Sequence, residues 1–226
     1  MDVTAAALFP SLGKSGGAVT GLRMPDDEPV WTLLDKSNRN GLANQLEYLL
    51  QGLGSNQRNL HPSITIDESK GPVHIVDGTR IGPSVHIEGP SYIAGEVRHG
   101  AYVRSHSWIC RDAVVGHATE TKHAILLPGA KAPHFNYVGD SILGKGANLG
   151  AGTKLSNLRN DGGEVHLRHG QQRIPSGLRK FGAVLGEGVA TGCNSVMNPG
   201  VVLGCNSVVW PNVTVTGVHE ADSLHR

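Results

Sequence analysis

Aromatic side chains are scarce in this chain: tryptophan, tyrosine and phenylalanine make up 4% of its 226 residues, against 31 glycines. A sandwich or doubly wound α/β core uses more aromatic volume, so this balance points to a narrow core of small and β-branched residues. Cysteine occurs three times, at Cys110, Cys193 and Cys205. An odd count without CxxC spacing argues against a disulfide framework or a cysteine zinc site, and the three read as reduced core thiols. No apolar run approaches the ~20 residues of a membrane-spanning helix, and no signal peptide opens the chain. The expectation is a soluble, cytoplasmic protein with no membrane partner. A net charge of +1, with histidine counted neutral, offers no broad field to attract nucleic acid, and a small ligand is the expected partner.

In place of these features the chain has a period of six. Val184, Ala190, Val196, Val202, Val208 and Thr214 recur at that interval, and Leu185, Thr191, Met197, Leu203, Val209 and Val215 follow one position behind. Earlier, Ile75, Ile81, Ile87 and Ile93 repeat by six, as do Val97, Val103, Ile109 and Val115. This is neither the 3.6 period of a helix nor the 2.0 period of a half-buried strand. It predicts an all-β fold, a parallel β-helix of hexapeptide repeats in which each repeat is one short side of a triangular prism. Three sides make one coil, coils stack about 4.8 Å apart, and one apolar residue per repeat fills the axis.

Two segments break the period. Residues 1–62 are expected to form a loose N-terminal arm with one short helix, since Leu42, Leu46, Leu49 and Leu50 fall at helical spacing and the run ends near Gly52 or Gly54. Residues 63–226 then form the prism, interrupted by an insertion over about 156–181 with a hairpin around His169-Gly170. A solenoid carries such insertions outside its stack, where binding surfaces collect.

Coil arithmetic picks out candidate site residues. Arg104 and Lys122 lie three repeats apart, so uninterrupted coils stack them on one side, where a pair of cations attracts phosphate; two solvated surface charges are the bland reading. His134 follows Lys122 by two repeats, two sides onward, and could face such a pair only in a neighbouring copy. Histidine takes a proton from an amine near neutral pH. The run Asn148 to Gly152, "NLGAG", offers backbone N–H groups to a carbonyl or pyrophosphate, or is simply another corner. "RKFG" at 179–182 binds phosphate or solvates its loop. His117 and His123, with His86, His99 or His106 nearby, raise a further possibility, a γ-carbonic-anhydrase-like site with zinc held by three histidines; the two are six apart where that class uses five, and no metal ligand is assigned.

The stretch "KAPHFNYVGDSILGKGANLGAGTKLSNLR" at 131–159 resembles the acetyltransferase domain of the bifunctional glucosamine-1-phosphate acetyltransferase/N-acetylglucosamine-1-phosphate uridyltransferase (GlmU) family, and more closely its archaeal-type members. The signature stands on His134, Tyr137, Gly139, Asp140, Asn148, Gly150, Ala151, Gly152 and Thr153, and "IPSGLRKFGA" extends the similarity, which covers about 72–218. The resemblance implies a left-handed β-helix that works as a homotrimer and transfers acetyl from acetyl-CoA to the amine of a hexosamine 1-phosphate. His134 matches the general base, Arg104 and Lys122 the phosphate ligands, and Tyr137, Asn148 and Asn157 the sugar contacts, with Lys180 or Arg179 completing the pocket from an adjacent subunit. Ala151, Cys193 and Pro211 are the expected acetyl-CoA contacts. The sequence departs from the bacterial pattern at Leu158, which replaces a tyrosine of the sugar site, and at Cys193, which falls where a CoA-contacting serine stands. Residues 1–62 are short for a nucleotidyltransferase domain and hold no glycine-rich nucleotide loop, so uridyl transfer is not expected. Alternative readings are a non-catalytic scaffold or a sugar-phosphate or sugar-nucleotide-binding trimer.

Overall fold

The computed structural model describes residues 2–12, 20–56 and 60–226. Parallel strands stack in three columns, the sides of the expected prism. The first face carries eight strands and its register climbs Thr65, His86, Tyr102, Glu120, Tyr137, Lys154, Val196, Thr214. The second face climbs His74, Tyr92, Trp108, Ile125, Ile142, Val184, Val202, Val218. On the third, the register passes through Val114, Lys131, Asn148, Ala190, Val208 and Leu224. From His74 upward each coil equals three repeats or falls slightly short of them, apart from one much longer step that recurs on every face (Lys154 to Val196, Ile142 to Val184, Asn148 to Ala190). The long step is the insertion, which leaves the prism after Lys154–Leu155 and rejoins it at Ala183–Leu185.

Strand alternation explains the two six-residue series. Leu185, Met197, Leu203, Val209 and Val215 point inward and are buried in the axial core with Ile75, Ile87, Ile93, Val97, Val103, Ile109 and Val115. That core contains no aromatic residue, because a coil of three short sides leaves no room for one. The leading series points outward. On the first and third faces its members are partly or largely exposed (Ala190, Val196, Val208, Thr214), whereas on the second Val184 and Val202 are buried.

The covering layer is the N-terminal arm, and here the expectation of a loose segment is corrected. Helix α1 (Ala5–Leu8), with Thr4 capping the Ala7 N–H, and helix α2 (Leu42–Leu53) flank a short 3₁₀ segment, Val30–Leu34. Leu8, Phe9, Leu22, Trp31, Leu33, Leu42, Leu46 and Leu50 pack onto Trp108, Ile125, Ile142, Val184 and Val202 as a second core. The Trp108 indole N–H is satisfied by the Thr20 carbonyl at 3.2 Å. Helix α2 ends at Gly54, whose φ of 65° suits a residue without Cβ. The insertion also contributes: its hairpin, His166–His169 against Gln172–Pro175, turns at Gly170-Gln171, and Val165, Leu167, Leu178 and Phe181 join the same second core. One face of the prism is therefore sealed within the chain, and the first and third faces are left open.

Candidate active site

At the corner between the first and second faces, two long strands, Glu120–Leu126 and Tyr137–Leu143, run through the bend without interruption. The bend falls on residues in the left-handed region, His123 at φ 47° and Asp140 at φ 46°, with His106 at φ 63° one coil below. His106, His123 and Asp140 thus form a column. The His106 and His123 rings meet edge to face at 5.9 Å, and His123 Nδ1 lies 3.1 Å from Asp140 Oδ1. Asp140 Oδ2 accepts from Lys122 Nζ at 3.1 Å and from Asn157 Nδ2, and the Asp140 carbonyl accepts from the Gly182 N–H where the insertion rejoins the prism. Asn157 Nδ2 also donates to the Tyr137 hydroxyl at 3.2 Å. Asp140 is the hub of this corner.

The electrostatics follow from these contacts. Burial opposes the charge of Asp140, but the His123 hydrogen bond and the Lys122 charge outweigh it and hold the carboxyl below its usual range. The Lys122 charge, with some desolvation, pulls the Lys180 ammonium below its ordinary pKa. Burial, reinforced by Glu120 and Asp140, pushes the Tyr137 phenol up, so it is a neutral hydroxyl at any physiological pH. Burial first, and then His123 and nearby lysines, push His106 down to about 4.

Arg104 and Lys122 do stack on adjacent coils, the Arg104 N–H donating to the Thr121 carbonyl at 2.8 Å. They are not an uncompensated pair of cations. Arg104 Nη1 donates to Glu120 Oε1 at 2.8 Å and its guanidinium lies over the Tyr102 ring, while Lys122 is tied to Asp140. Lys180, exposed, pairs through its backbone with Leu158 in an isolated antiparallel bridge and brings a third cation. Leu158 itself is 37% exposed and offers no hydroxyl.

The remaining sequence-derived residues lie at the opposite edge of the first face, where the third face ends. His134 is exposed, pairs in register with His117 below, and its carbonyl accepts from the Gly152 N–H at 3.0 Å. The register that sets Lys131 beside Asn148 puts Ala151 above His134, and continues to Cys193 and Pro211 on the next coils. Cys193 and Pro211 are exposed. Asn148 stands on the third face, three positions short of that corner. One repeat separates His134 from Asp140, a reach of at most about 20 Å, but the intervening side of the prism keeps the two groups apart within one chain.

Asp140 entered the sequence reading only as a signature position, and Glu120 and His123 not at all as partners of the site. The signal was present: His123 and Asp140 have a sequence separation of 17, a coil step that counting strictly by three repeats misses. Among the described residues, no group of three His, Cys, Asp or Glu side chains is placed to hold a metal. His117 stacks on His99 at 4.4 Å at one corner while His123 is buried at another, so one chain does not bring them together. No helix of the described residues is long and apolar enough to cross a membrane.

Comparison with known proteins adds lineage to this geometry. A bifunctional sugar-1-phosphate nucleotidylyltransferase/acetyltransferase of Sulfurisphaera tokodaii is 35% identical over 166 residues, 73% of this chain and 39% of that protein. A bifunctional protein GlmU of Methanococcus vannielii is 42% identical over 92 residues, 41% of this chain and 22% of its own length. Over the shared segments, the chain is similar to these bifunctional proteins. It spans about two fifths or less of the length of these proteins. No protein-family model matches the chain. Among solved structures, the acetyltransferase domain of PglB from Neisseria gonorrhoeae FA1090 aligns over 91% of this chain and 93% of its own, at 15% identity and a TM-score of 0.34, too low a score to bear on function.

Proposed function

We propose that the protein is an acyltransferase that moves acetyl from acetyl-CoA to the amine of a hexosamine 1-phosphate, in a site completed between copies of a homotrimer. The reading is carried by one observation: apart from Asn148 on the third face, the proposed ligands gather at the two edges of the first face, cations and sugar-type hydrogen-bond groups at one, and an exposed histidine below an open ledge at the other. A neighbouring prism can bring the second edge of one copy against the first edge of the next. The sealed second face supports this, because contact between copies is left to the first and third faces, which meet at His134.

In this reading Arg104 and Lys122 hold the phosphate, with Lys180 adding charge, while Tyr137, Asn148 and Asn157 orient the sugar. Asp140 fixes both Lys122 and Asn157 and so positions the two sets together. His134 takes the proton of the attacking amine. The amide C–N bond forms as the thioester C–S bond breaks, and the proton leaves on the CoA sulfur. Backbone N–H near Ala151 lies on the coil above His134, in reach of a carbonyl oxygen that gains charge during attack. Cys193 and Pro211, exposed on successive coils, give acetyl-CoA a ledge to follow.

The test is acetyl-CoA turnover across a panel of hexosamine 1-phosphates, with light scattering for the trimer. His134→Ala should lower kcat by about 10²–10⁴-fold and change sugar-phosphate affinity little. Arg104→Ala should instead mainly weaken sugar-phosphate binding, raising KM more than it lowers kcat. Equal activity in the parent and His134→Ala, or a stable monomer that is fully active, overturns the reading. Binding of the sugar phosphate with no turnover by the parent would leave a sugar-phosphate-binding protein.

A further inference from the structure

A cleft of about 430 Å³ opens between the inserted hairpin and the upper coils of the first face. Its floor is the outward column Ser156, Asn198 and Thr216, with Asn198 Nδ2 donating to Thr216 Oγ1 at 2.6 Å. Its wall is the hairpin, whose alternation separates two surfaces: Leu167 is fully buried in the second core, while His166, Arg168 and Arg173 line the cleft.

Arg168 and Arg173 are directly opposite in the antiparallel register. With a two-residue turn pairing His169 to Gln172, this is the close, non-hydrogen-bonded type of pair, in which side chains on one face come nearest. Like charges placed this way destabilise a hairpin. Among the described residues neither guanidinium has an ion-pair or hydrogen-bond partner. The nearby carboxylates are engaged elsewhere: Asp161 is held by Arg159, whose hydrogen bond and charge lower the aspartate pKa to about 2, and Glu164 accepts the Gly177 N–H at 2.8 Å. Three arginines against one aspartate leave the lining at a formal +2.

The wall is also held in place. A Cβ at Gly217, where φ is 96°, would come within 2.5 Å of the Arg168 carbonyl, and one at Gly200 within 2.8 Å of Val165 Cγ1. Both glycines let the hairpin lie directly on the outer coils, so the backbone that carries the paired arginines is fixed beside the cleft.

We propose that this cleft is a phosphate-class anion site, separate from the Arg104/Lys122 corner, in which Arg168 and Arg173 take the phosphate oxygens and Asn198 and Thr216 supply neutral hydrogen bonds. Two guanidiniums carried at opposite positions of one cleft wall match the several oxygens of a phosphate or diphosphate better than a single carboxylate. The site does not depend on the acyltransferase reading.

Calorimetry with pyrophosphate tests it on the full chain. The parent should bind, more weakly as salt rises, and Arg168→Ala/Arg173→Ala should lose at least about tenfold in affinity, as the removal of two charge-assisted contacts implies. Both substitutions are on exposed side chains, and an unchanged melting temperature checks that the hairpin stays docked. In an Arg104→Ala/Lys122→Ala background, which weakens the other corner, pyrophosphate should still bind, and adding Arg168→Ala/Arg173→Ala should remove that remaining affinity. If Arg104→Ala/Lys122→Ala abolishes pyrophosphate binding and Arg168→Ala/Arg173→Ala does not, the anion belongs to the other corner and the proposal fails; absence of binding by the parent also overturns it. Repeating the titration with saturating glucosamine 1-phosphate assigns the source: retained affinity means a free phosphate compound, whereas lost affinity, with Arg168→Ala/Arg173→Ala still defective, means one acceptor that reaches both places.

Discussion

Replacing Asp140 with asparagine separates the roles of this hub. The residue sits at φ 46°, a left-handed conformation that asparagine tolerates better than other non-glycine residues, so Asp140→Asn removes the charge with little change in backbone strain. Its side chain is 3% exposed and that of its partner Lys122 is 16% exposed. Removing one member of a buried ion pair costs about 3–5 kcal/mol because the other charge remains buried. Lys122 retains some solvent, which places the expected loss near the lower bound, about 3 kcal/mol. Urea unfolding of parent and variant at neutral pH reads this directly. The pH dependence has a definite sign: the folded-state pKa of Asp140 lies below its unfolded value of 3.8, so its contribution is complete above that value and is lost as the pH falls through the folded pKa. The stability difference between parent and variant should therefore shrink in strong acid. Anion binding should change in the opposite direction, since Lys122 and Lys180 lose the carboxylate that compensates them, and sugar-phosphate affinity should rise several-fold at low salt. Unchanged unfolding at pH 7 together with unchanged phosphate affinity would refute the assignment of Asp140 as the group that holds Lys122.

Two further perturbations probe the scaffold. His106→Asn should reduce acid destabilisation: the His106 pKa falls from 6.5 to about 4 on folding, so its neutral form contributes stability above pH 6.5 that is lost as pH falls toward 4, roughly 3 kcal/mol in all, measured as the difference between parent and variant unfolding curves across that range. Leu46→Ala, at a fully buried position of helix α2, should cost about 2–5 kcal/mol by cavity formation; a loss below about 0.5 kcal/mol would mean that the arm does not hold the second face as described.

The prism was legible from the sequence because its axis accepts one kind of residue per repeat, and that constraint writes itself as a period of six. Helix α2 was legible through Leu42, Leu46 and Leu50, and the insertion through loss of the period. The packing of the arm was harder to see, since it depends on which outward positions are apolar, and outward positions carry no constraint from the axis. The information is in doublets such as Ile125-Leu126, Ile142-Leu143, Val184-Leu185 and Val202-Leu203, where the second residue fills the axis and the first meets the arm. They recur on one face in three, a beat of one coil beneath the beat of one repeat. At the candidate site, the stacking of Arg104 on Lys122 was legible because an uninterrupted step of three repeats separates them. The link from His123 to Asp140 was hidden by a step one short of that count, and by a bend that only the left-handed residues reveal.

The sealed face also decides what the two exposed edges can do. With the arm and the hairpin covering the second face, the corner that bears Asp140 borders the sealed side and is backed by a packed core, which fixes Lys122, Asn157 and the rejoining strand at Gly182 in one geometry. The corner that bears His134 lies between the two open faces and has no such backing; its side chain projects into solvent. A group proposed to recognise an anion is thus built where the chain is thickest, and the group proposed to move a proton is left exposed at an edge that a second copy can enclose. For the proposed acyltransferase this division gives a reason to assemble the site between subunits, since closing the His134 edge from within one chain would cover the surface through which a neighbour is proposed to deliver its cations.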